Sequence, residues 1–304
     1  MRSISLMFLK RKKFWKRTFW FGLITPIIVF SILVLVVYVK QDSIVKNLIK
    51  NANKDFTGSI RIKDSHVAPF ANFPYISIDI EELEIFEGKN RKKSERIVHI
   101  KDAYIGFDIL ELLSGKYDVK SVRLSNGDLR IIQHKNGDFN IIKAFESKKP
   151  AKEIEEELHL DLQSIKLDNI DVSKFNESNG IMVDVLIENA KTRLQSTKQN
   201  FTMNVDSKFQ LNLIKDGDTT FLKHKHFEVA TELDFEKSKQ ILKVEPTEIT
   251  LEKATFNFDG SVDFLNDVFI DLHFSGKKPD FNLFLALAPE ELMPTLKKFE
   301  NKGK

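Results

Sequence analysis

Apolar and polar residues alternate along most of the chain beyond residue 157, which is the pattern of a β-strand with one buried face and one wet face. The alternation is clearest in residues 201–213, 227–235, 254–264 and 268–274. We expect the apolar parity of these segments to form one continuous surface. Its members are Phe201, Met203, Val205, Phe209, Leu211, Phe227, Val229, Leu233, Phe235, Phe256, Phe258, Phe264, Ile270, Leu272 and Phe274.

Earlier segments alternate as well, including residues 158–162, but their parity slips in places. Ile80 is followed by Leu83, and Ile100 is followed by Ala103. A slip by one residue moves the following side chains to the other face unless the strand is locally irregular. The slips therefore predict bulges or tight bends.

Turn signals separate the alternating segments. Asn-Gly begins at residues 126, 136 and 179, and Asp-Gly begins at residues 216 and 259. Asn-Gly favours a type I′ hairpin turn, because both central residues need a positive φ. The sequence predicts a meander of antiparallel hairpins in which each strand pairs with its predecessor. Parallel βαβ architecture is disfavoured, because no helical pattern of suitable length separates the strands.

Three short stretches have helical spacing: residues 43–56, 108–113 and 279–299, the last interrupted by two prolines. Residues 148–157 are charge-rich and predict a linker between two β regions. The fold class predicted is therefore mainly β, with a strongly curved antiparallel sheet and a few short helices.

An uncharged run at residues 19–39 predicts a transmembrane helix, since about 20 apolar residues cross a bilayer core. Seven Lys and Arg residues and no acidic residue precede it in residues 1–18, so the positive-inside rule keeps this arm in the cytoplasm and exports the rest. A cleavable signal peptide is the rival interpretation. It expects an apolar core of about 7–15 residues followed by small residues, whereas this run is longer and continues into Tyr38, Val39 and Lys40.

Composition excludes several classes of function. Seven of the 47 basic residues lie in the arm, so the remainder is slightly acidic against 44 Asp and Glu, and no nucleic-acid partner is expected. The chain has no Cys and therefore no disulfide, thiol nucleophile or thiolate metal ligand. Glycine spacing excludes phosphate loops, and His224 and His226 form the only close histidine pair, too few for a closed metal site. We expect no catalytic residue, cofactor or metal.

A one-faced exported sheet has several possible uses. It can form the core of a closed sandwich or barrel, an outer-membrane barrel, or a scaffold that binds proteins. It can also form an open, curved groove whose apolar face holds acyl chains, at about 0.8 kcal/mol per buried CH₂. An outer-membrane barrel is disfavoured, because its aromatic girdles use Trp and Tyr, whereas this chain has 26 Phe, 2 Trp and 4 Tyr.

Two segments carry a resemblance to a known family. Residues 112–131, LLSGKYDVKSVRLSNGDLRI, followed by NGDFN at residues 136–140, resemble the N-terminal region of the AsmA family, as does the order of basic arm, membrane span and strand. Residues 249–299, with GSVDF at 260–264 and LALAP at 285–289, resemble a further AsmA-type segment.

This resemblance implies an inner-membrane protein of a Gram-negative cell with a periplasmic body, similar to bridge-like lipid transfer proteins. The domains expected are a cytoplasmic arm (1–18), a signal anchor (19–39), an AsmA-like β domain (40–147), a linker (148–157) and a second β-groove region (158–304). The function expected is binding of phospholipid on the Phe-rich face, contributing to lipid transport and outer-membrane assembly, without enzymatic activity. The alternative is a periplasmic scaffold that contacts outer-membrane assembly proteins. At about 260 residues, the body is shorter than that of many relatives, which leaves open whether it is a full-length shuttle, a partial bridge or a truncated product.

Overall fold

The computed structural model of the protein describes residues 3–90, 94–146, 162–197, 199–215, 218–219, 222–263, 269–276, 285–286, 288 and 292–296. Within them lie four helices, α1 (Ser3–Asp55), α2 (Ile109–Leu113), α3 (Asn140–Phe145) and α4 (Met293–Leu296). The strands are β1 (Ser59–Arg61), β2 (Asp64–Asn72), β3 (Tyr75–Phe86), β4 (Arg96–Phe107), β5 (Val119–Gln133), β6 (Ser164–Asn176), β7 (Ile181–Ser196), β8 (Asn200–Lys215), β9 (Asp218–Thr219), β10 (Lys225–Glu236), β11 (Ile241–Leu251), β12 (Ala254–Asp263) and β13 (Phe269–Gly276).

All thirteen strands belong to one sheet. Its order is β1-β3-β4-β5-β6-β7-β8-β10-β11-β12-β13, with β2 beside β3 and β9 beside β8. Within the described residues β1 and β13 do not pair, so the sheet is open. Ten steps at a strand spacing of about 4.8 Å make it about 48 Å from the first strand of this order to the last. The predicted fold class, a mainly antiparallel β protein behind an apolar N-terminal helix, is confirmed.

One strand pair departs from the predicted meander. β5 and β6 are parallel, in register from Ser121 opposite Ser164 to Gln133 opposite Asn176. The expectation of hairpins throughout is therefore wrong here, because a parallel partner requires the chain to cross back to the other end of the sheet. That crossover includes α3 and residues 147–161. Residues 147–161 lie outside the described residues. They include the whole predicted linker and most of the predicted strand 158–162.

Two predicted turns are also wrong. Asn126 and Gly127 lie inside β5, and Gly260 lies inside β12 at a φ of +148°. A Cβ on Gly127 would approach the carbonyl oxygen of His99 to 2.3 Å, so the glycine permits close strand contact instead of chain reversal. The turns at 136–137 and 179–180 are confirmed, the latter joining β6 to β7, and residues 216–217 lie outside the described residues.

Five adjacent strands, β3 to β7, each contain one irregular residue at the same level of the sheet. In each pair of neighbouring strands from β3 to β7, the two irregular residues lie opposite one another, so the register is the same on both sides of them. Between β7 and β8 the register shifts at this level. Three of them, Glu82, Asn126 and Asn169, have a φ between +51° and +57°. The parity slips after Ile80 and Ile100 thus coincide with irregular residues, but the strands show no bulge there, because the register does not shift. The row of irregular residues consists of Glu82, Lys101, Asn126, Asn169 and Glu188.

Helix α1 extends continuously to Asp55, which confirms the helix predicted at 43–56. Its segment Ile27–Asn47 is long and apolar enough to cross a membrane. The second half of α1 also packs on the sheet, where Val37 and Ile44 are buried in one cluster with Ile76 and Ile78. The apolar stretch of α1 therefore continues directly into the apolar face of the first strands.

The shorter helices differ in how well the sequence predicts them. The helix predicted at 108–113 is confirmed as α2, and the Asp108 carboxylate caps it by accepting hydrogen bonds from the backbone N–H groups of Leu110 and Glu111. Helix α3 follows the turn at 136–137 and was not predicted. Most of the helix predicted at 279–299 lies outside the described residues.

Candidate functional site

The strand register brings the predicted apolar residues of β8 and β10 onto one face. Phe201 lies opposite Phe235, Met203 opposite Leu233, and Phe209 opposite Phe227. Directly opposed residues of an antiparallel pair point to the same side of the sheet. The alternation predicted for these two strands is therefore matched by their pairing.

The same face continues through the last three strands. Phe227 lies opposite Leu251 in β11, Leu251 opposite Ala254 in β12, and Phe258 opposite Phe274 in β13. An extra residue at 245–246 of β11 shifts the register on both sides without changing which face is apolar. The predicted face residues thus share one side of the sheet, apart from Phe264, which lies outside the described residues, and Ile270, which is placed only by its register opposite Val262.

The apolar face extends further toward the N-terminus than the alternation in residues 201–274 predicts. Ile187 lies opposite Phe209, and the pairing carries the apolar side back across β7, β6, β5 and β4 to β3. The parity slips in the sequence indicate this part of the face. An irregular residue at each slip keeps the apolar side chains before and after it on the same side of the sheet. The added members include Ile78, Ile80, Leu83, Ile100, Ala103, Leu124, Leu129, Ile165, Leu167, Ile170, Val172, Val185, Ile187 and Leu194.

The apolar face is buried in the first strands and half-exposed in the edge strand β13, whereas Leu251 and Phe256 between them are each 2% exposed. Ile100, Ala103 and Ile170 are buried in a cluster built entirely from β3 to β7. At the far edge, in β13, Leu272 is 44% exposed and Phe274 is 48% exposed. The first strands therefore form a packed core, whereas the last strand presents its apolar side chains to the surroundings.

Phenylalanine rings line the face in β8, β10, β12 and β13. Phe209 and Phe227 stack with their centroids 5.1 Å apart and their planes within 6°. Phe256 and Phe274 stack at 4.4 Å, and Phe258 meets Phe274 edge-on at 6.3 Å. These rings carry no hydrogen-bonding group, so the surface they form favours an apolar contact without fixing its orientation.

A C-terminal segment covers part of one end of the face. Ala286 is buried against Leu251, Ala254 and Phe256. Beside it, the buried ammonium group of Lys225 donates a hydrogen bond to the carbonyl oxygen of Ala288 at 3.0 Å. Lys225 is the one basic residue of β10 whose register position lies on the apolar side, and this bond gives its buried ammonium group a hydrogen-bond acceptor.

The opposite face of the sheet is polar and rich in ion pairs. His66 pairs with Asp79 at 3.0 Å, and Lys208 pairs with Glu228 at 2.9 Å. Burial and a hydrogen bond to the neighbouring Asp184 raise the pKa of Asp171 to about 6. In the described part of the chain, no group of three His, Asp or Glu residues is arranged to hold a metal.

Comparison with known proteins adds no family assignment. No protein-family model matches the chain, and no curated protein matches it. The AsmA resemblance therefore rests on residues 112–131, 136–140 and 249–299. The first of these segments forms the end of α2, a turn at Gly115 with a φ of +87°, and most of β5.

Proposed function

We propose that this protein is a membrane-anchored lipid-binding protein that holds acyl chains on the apolar face of its open sheet. The observation that carries the proposal is the register, which joins apolar residues of strands β3 to β13 into one side, on which Leu272 and Phe274 of the edge strand are about half exposed. Soluble monomers rarely expose apolar patches larger than a few hundred Å². Acyl chains are an abundant apolar ligand beside a membrane, and each buried CH₂ contributes about 0.8 kcal/mol.

The proposed location is the inner membrane of a Gram-negative cell, with the arm in the cytoplasm and the sheet in the periplasm. The apolar segment of α1 and the basic arm support this topology. The resemblance to the AsmA family supports a contribution to phospholipid transport and outer-membrane assembly. On this proposal the protein binds and shields lipid and catalyses no reaction.

A photo-crosslinking experiment tests lipid binding in the full-length protein. A benzophenone amino acid is placed at Phe209, on the apolar face, and in a matched variant at Gln210, the next residue on the polar face. After irradiation of intact cells, mass spectrometry of the purified protein should find phospholipid adducts at residue 209 and not at residue 210. Equal adduct formation, or none at residue 209 in a folded protein, would overturn the proposal.

The second candidate function is a protein-binding scaffold, and the free edge of β13 favours it. Within the described residues β13 pairs only with β12, so its other side carries unpaired backbone N–H and C=O groups. An edge strand of this kind accepts an added strand from a partner protein. The same crosslinker at Phe269, which is exposed on this strand, should yield protein adducts if this candidate is correct.

A further inference from the structure

The β2–β3 hairpin lies alongside α1. The rings of Phe30 in α1 and Phe70 in β2 are 6.1 Å apart. At the other end of this contact, the Asn53 side chain accepts a hydrogen bond from the Ile60 N–H at 2.7 Å and donates one to the Ile60 carbonyl oxygen at 3.0 Å. The chain from residue 60 to residue 70 therefore runs antiparallel to α1.

The lengths of the two segments agree. From Phe30 to Asn53 the helix rises about 34 Å at 1.5 Å per residue. From Ile60 to Phe70 an extended chain covers about 33 Å at 3.3 Å per residue. Each level of β2 therefore corresponds to a level of α1, and the hairpin tip lies beside the part of α1 that is apolar enough to cross a membrane.

Charged residues begin at the same level in both elements. Residues 67–78, which include the hairpin tip, carry no charged side chain, and His66 and Asp79 bound them as directly opposed strand partners. In α1 the first charged residue after the apolar run is Lys40, about 15 Å beyond Phe30. His66 lies about 13 Å from Phe70 along β2. A plane through Lys40 in α1 and His66 in β2 therefore separates the uncharged part of the helix and the hairpin from the part that carries charged residues.

The tip itself exposes large apolar side chains. Phe70 is 71% exposed and Phe73 is 73% exposed, and Leu110 in the neighbouring α2 is exposed as well. Two polar side chains of the tip bond to other parts of the chain: the buried Asn72 donates to the Tyr104 carbonyl oxygen at 3.3 Å, and the Tyr75 hydroxyl donates to the side-chain oxygen of Gln163 at 2.6 Å. Two exposed aromatic rings without polar groups are unfavourable in water but suit the hydrocarbon of a bilayer.

We propose that the tip of the β2–β3 hairpin, residues 67–76, inserts into the lipid bilayer beside α1. The occupant of this exposed surface is the leaflet on the side of the sheet, which is continuous with the lipid that surrounds the helix. This inference rests on the proposed membrane span of α1. Insertion places the β3 end of the sheet at the membrane surface, where α1 packs on its apolar side.

Because the chain has no Cys, single labelling sites test the proposal directly. Full-length variants Phe73→Cys, Ile32→Cys and Ile142→Cys are labelled with an environment-sensitive fluorophore and reconstituted in phosphatidylcholine–phosphatidylglycerol vesicles containing lipids with a quencher on the acyl chain. Ile32 is an exposed residue of the span. Ile142 is apolar and exposed like Phe73, at 65% against 73%, but it lies in α3, which follows the end of β5 that is far from the hairpin tip.

The fluorophore at residue 73 should be quenched about as strongly as the one at residue 32, while the one at residue 142 keeps its fluorescence. Quenching at residue 32 without quenching at residue 73 overturns the insertion and leaves the span intact. Absence of quenching at residue 32 overturns the span and the insertion with it. Quenching at all three positions also overturns the proposal, since it indicates a sheet lying against the bilayer and not an inserted tip.

Discussion

The side-chain amide of Asn169 donates a hydrogen bond to the side-chain oxygen of Asn126 at 2.8 Å, across the parallel pair of β5 and β6. Both residues have a positive φ, of 55° and 57°. They occupy the centre of the row of irregular residues that crosses β3 to β7. Their bond therefore joins two strands at the level where each strand changes the parity of its apolar side chains.

Replacing Asn126 tests how much this row stabilises the sheet. Asn126→Ala loses the hydrogen bond and places a less tolerant residue in the left-handed region, so we expect it to lower the free energy of unfolding by about 1–3 kcal/mol. Asn126→Gly loses the same bond but keeps the conformation accessible and should cost less. Thermal unfolding followed by circular dichroism compares the two. A glycine variant as unstable as the alanine variant would contradict the role given to the backbone.

The sequence predicts local features of this fold better than pairings between distant segments. Alternation in β8 and β10 determines which side chains share a face, and the slips after Ile80 and Ile100 indicate where strands become irregular. Asn126-Gly127 predicts a turn and instead lies inside β5, because a type I′ turn and an irregular strand position both favour positive φ. The parallel pairing of β5 with β6 was not predictable, because it depends on how the intervening chain crosses the sheet and not on the pattern of either strand.

The register of the apolar face predicts opposite outcomes for adjacent residues of β8. Met203 lies between Leu194 and Leu233, whereas Asn204 is exposed on the polar side. Met203→Asp places a carboxylate among apolar side chains, and we expect a loss of stability of about 2–4 kcal/mol. Asn204→Asp, a nearly isosteric change, should leave the thermal midpoint almost unchanged. Similar midpoints for both variants would show that the register is wrong.

The acid pair on the polar face predicts a pH dependence. Because burial and Asp184 raise the folded-state pKa of Asp171 to about 6, above its ordinary value of 3.8, the folded protein binds a proton more tightly there than the unfolded chain does. Stability from this site should therefore rise as pH falls from about 7 to 4 and be lost as pH rises through 6. Asp171→Asn should remove this component. Parallel melting-temperature profiles for both proteins over that range would contradict it.

The apolar face is half-exposed in β13 and buried in β4. We therefore expect a charged residue in β13 to reduce lipid binding without unfolding the protein, and a charged residue in β4 to unfold it. Leu272 is half-exposed in the edge strand β13 and lies opposite Gly260, so Leu272→Arg leaves its charge in contact with solvent. We expect this variant to retain the β circular-dichroism signal while phospholipid crosslinking from residue 209 declines, because a cation disfavours acyl chains that extend from β8 across the face to β13. Ile100 is 2% exposed inside the β3–β7 cluster, and Ile100→Arg should unfold the sheet. A closed core would make both substitutions equally destabilising. Undiminished crosslinking in folded Leu272→Arg protein would instead confine lipid to the strands before β13 and favour the use of that edge for a protein partner.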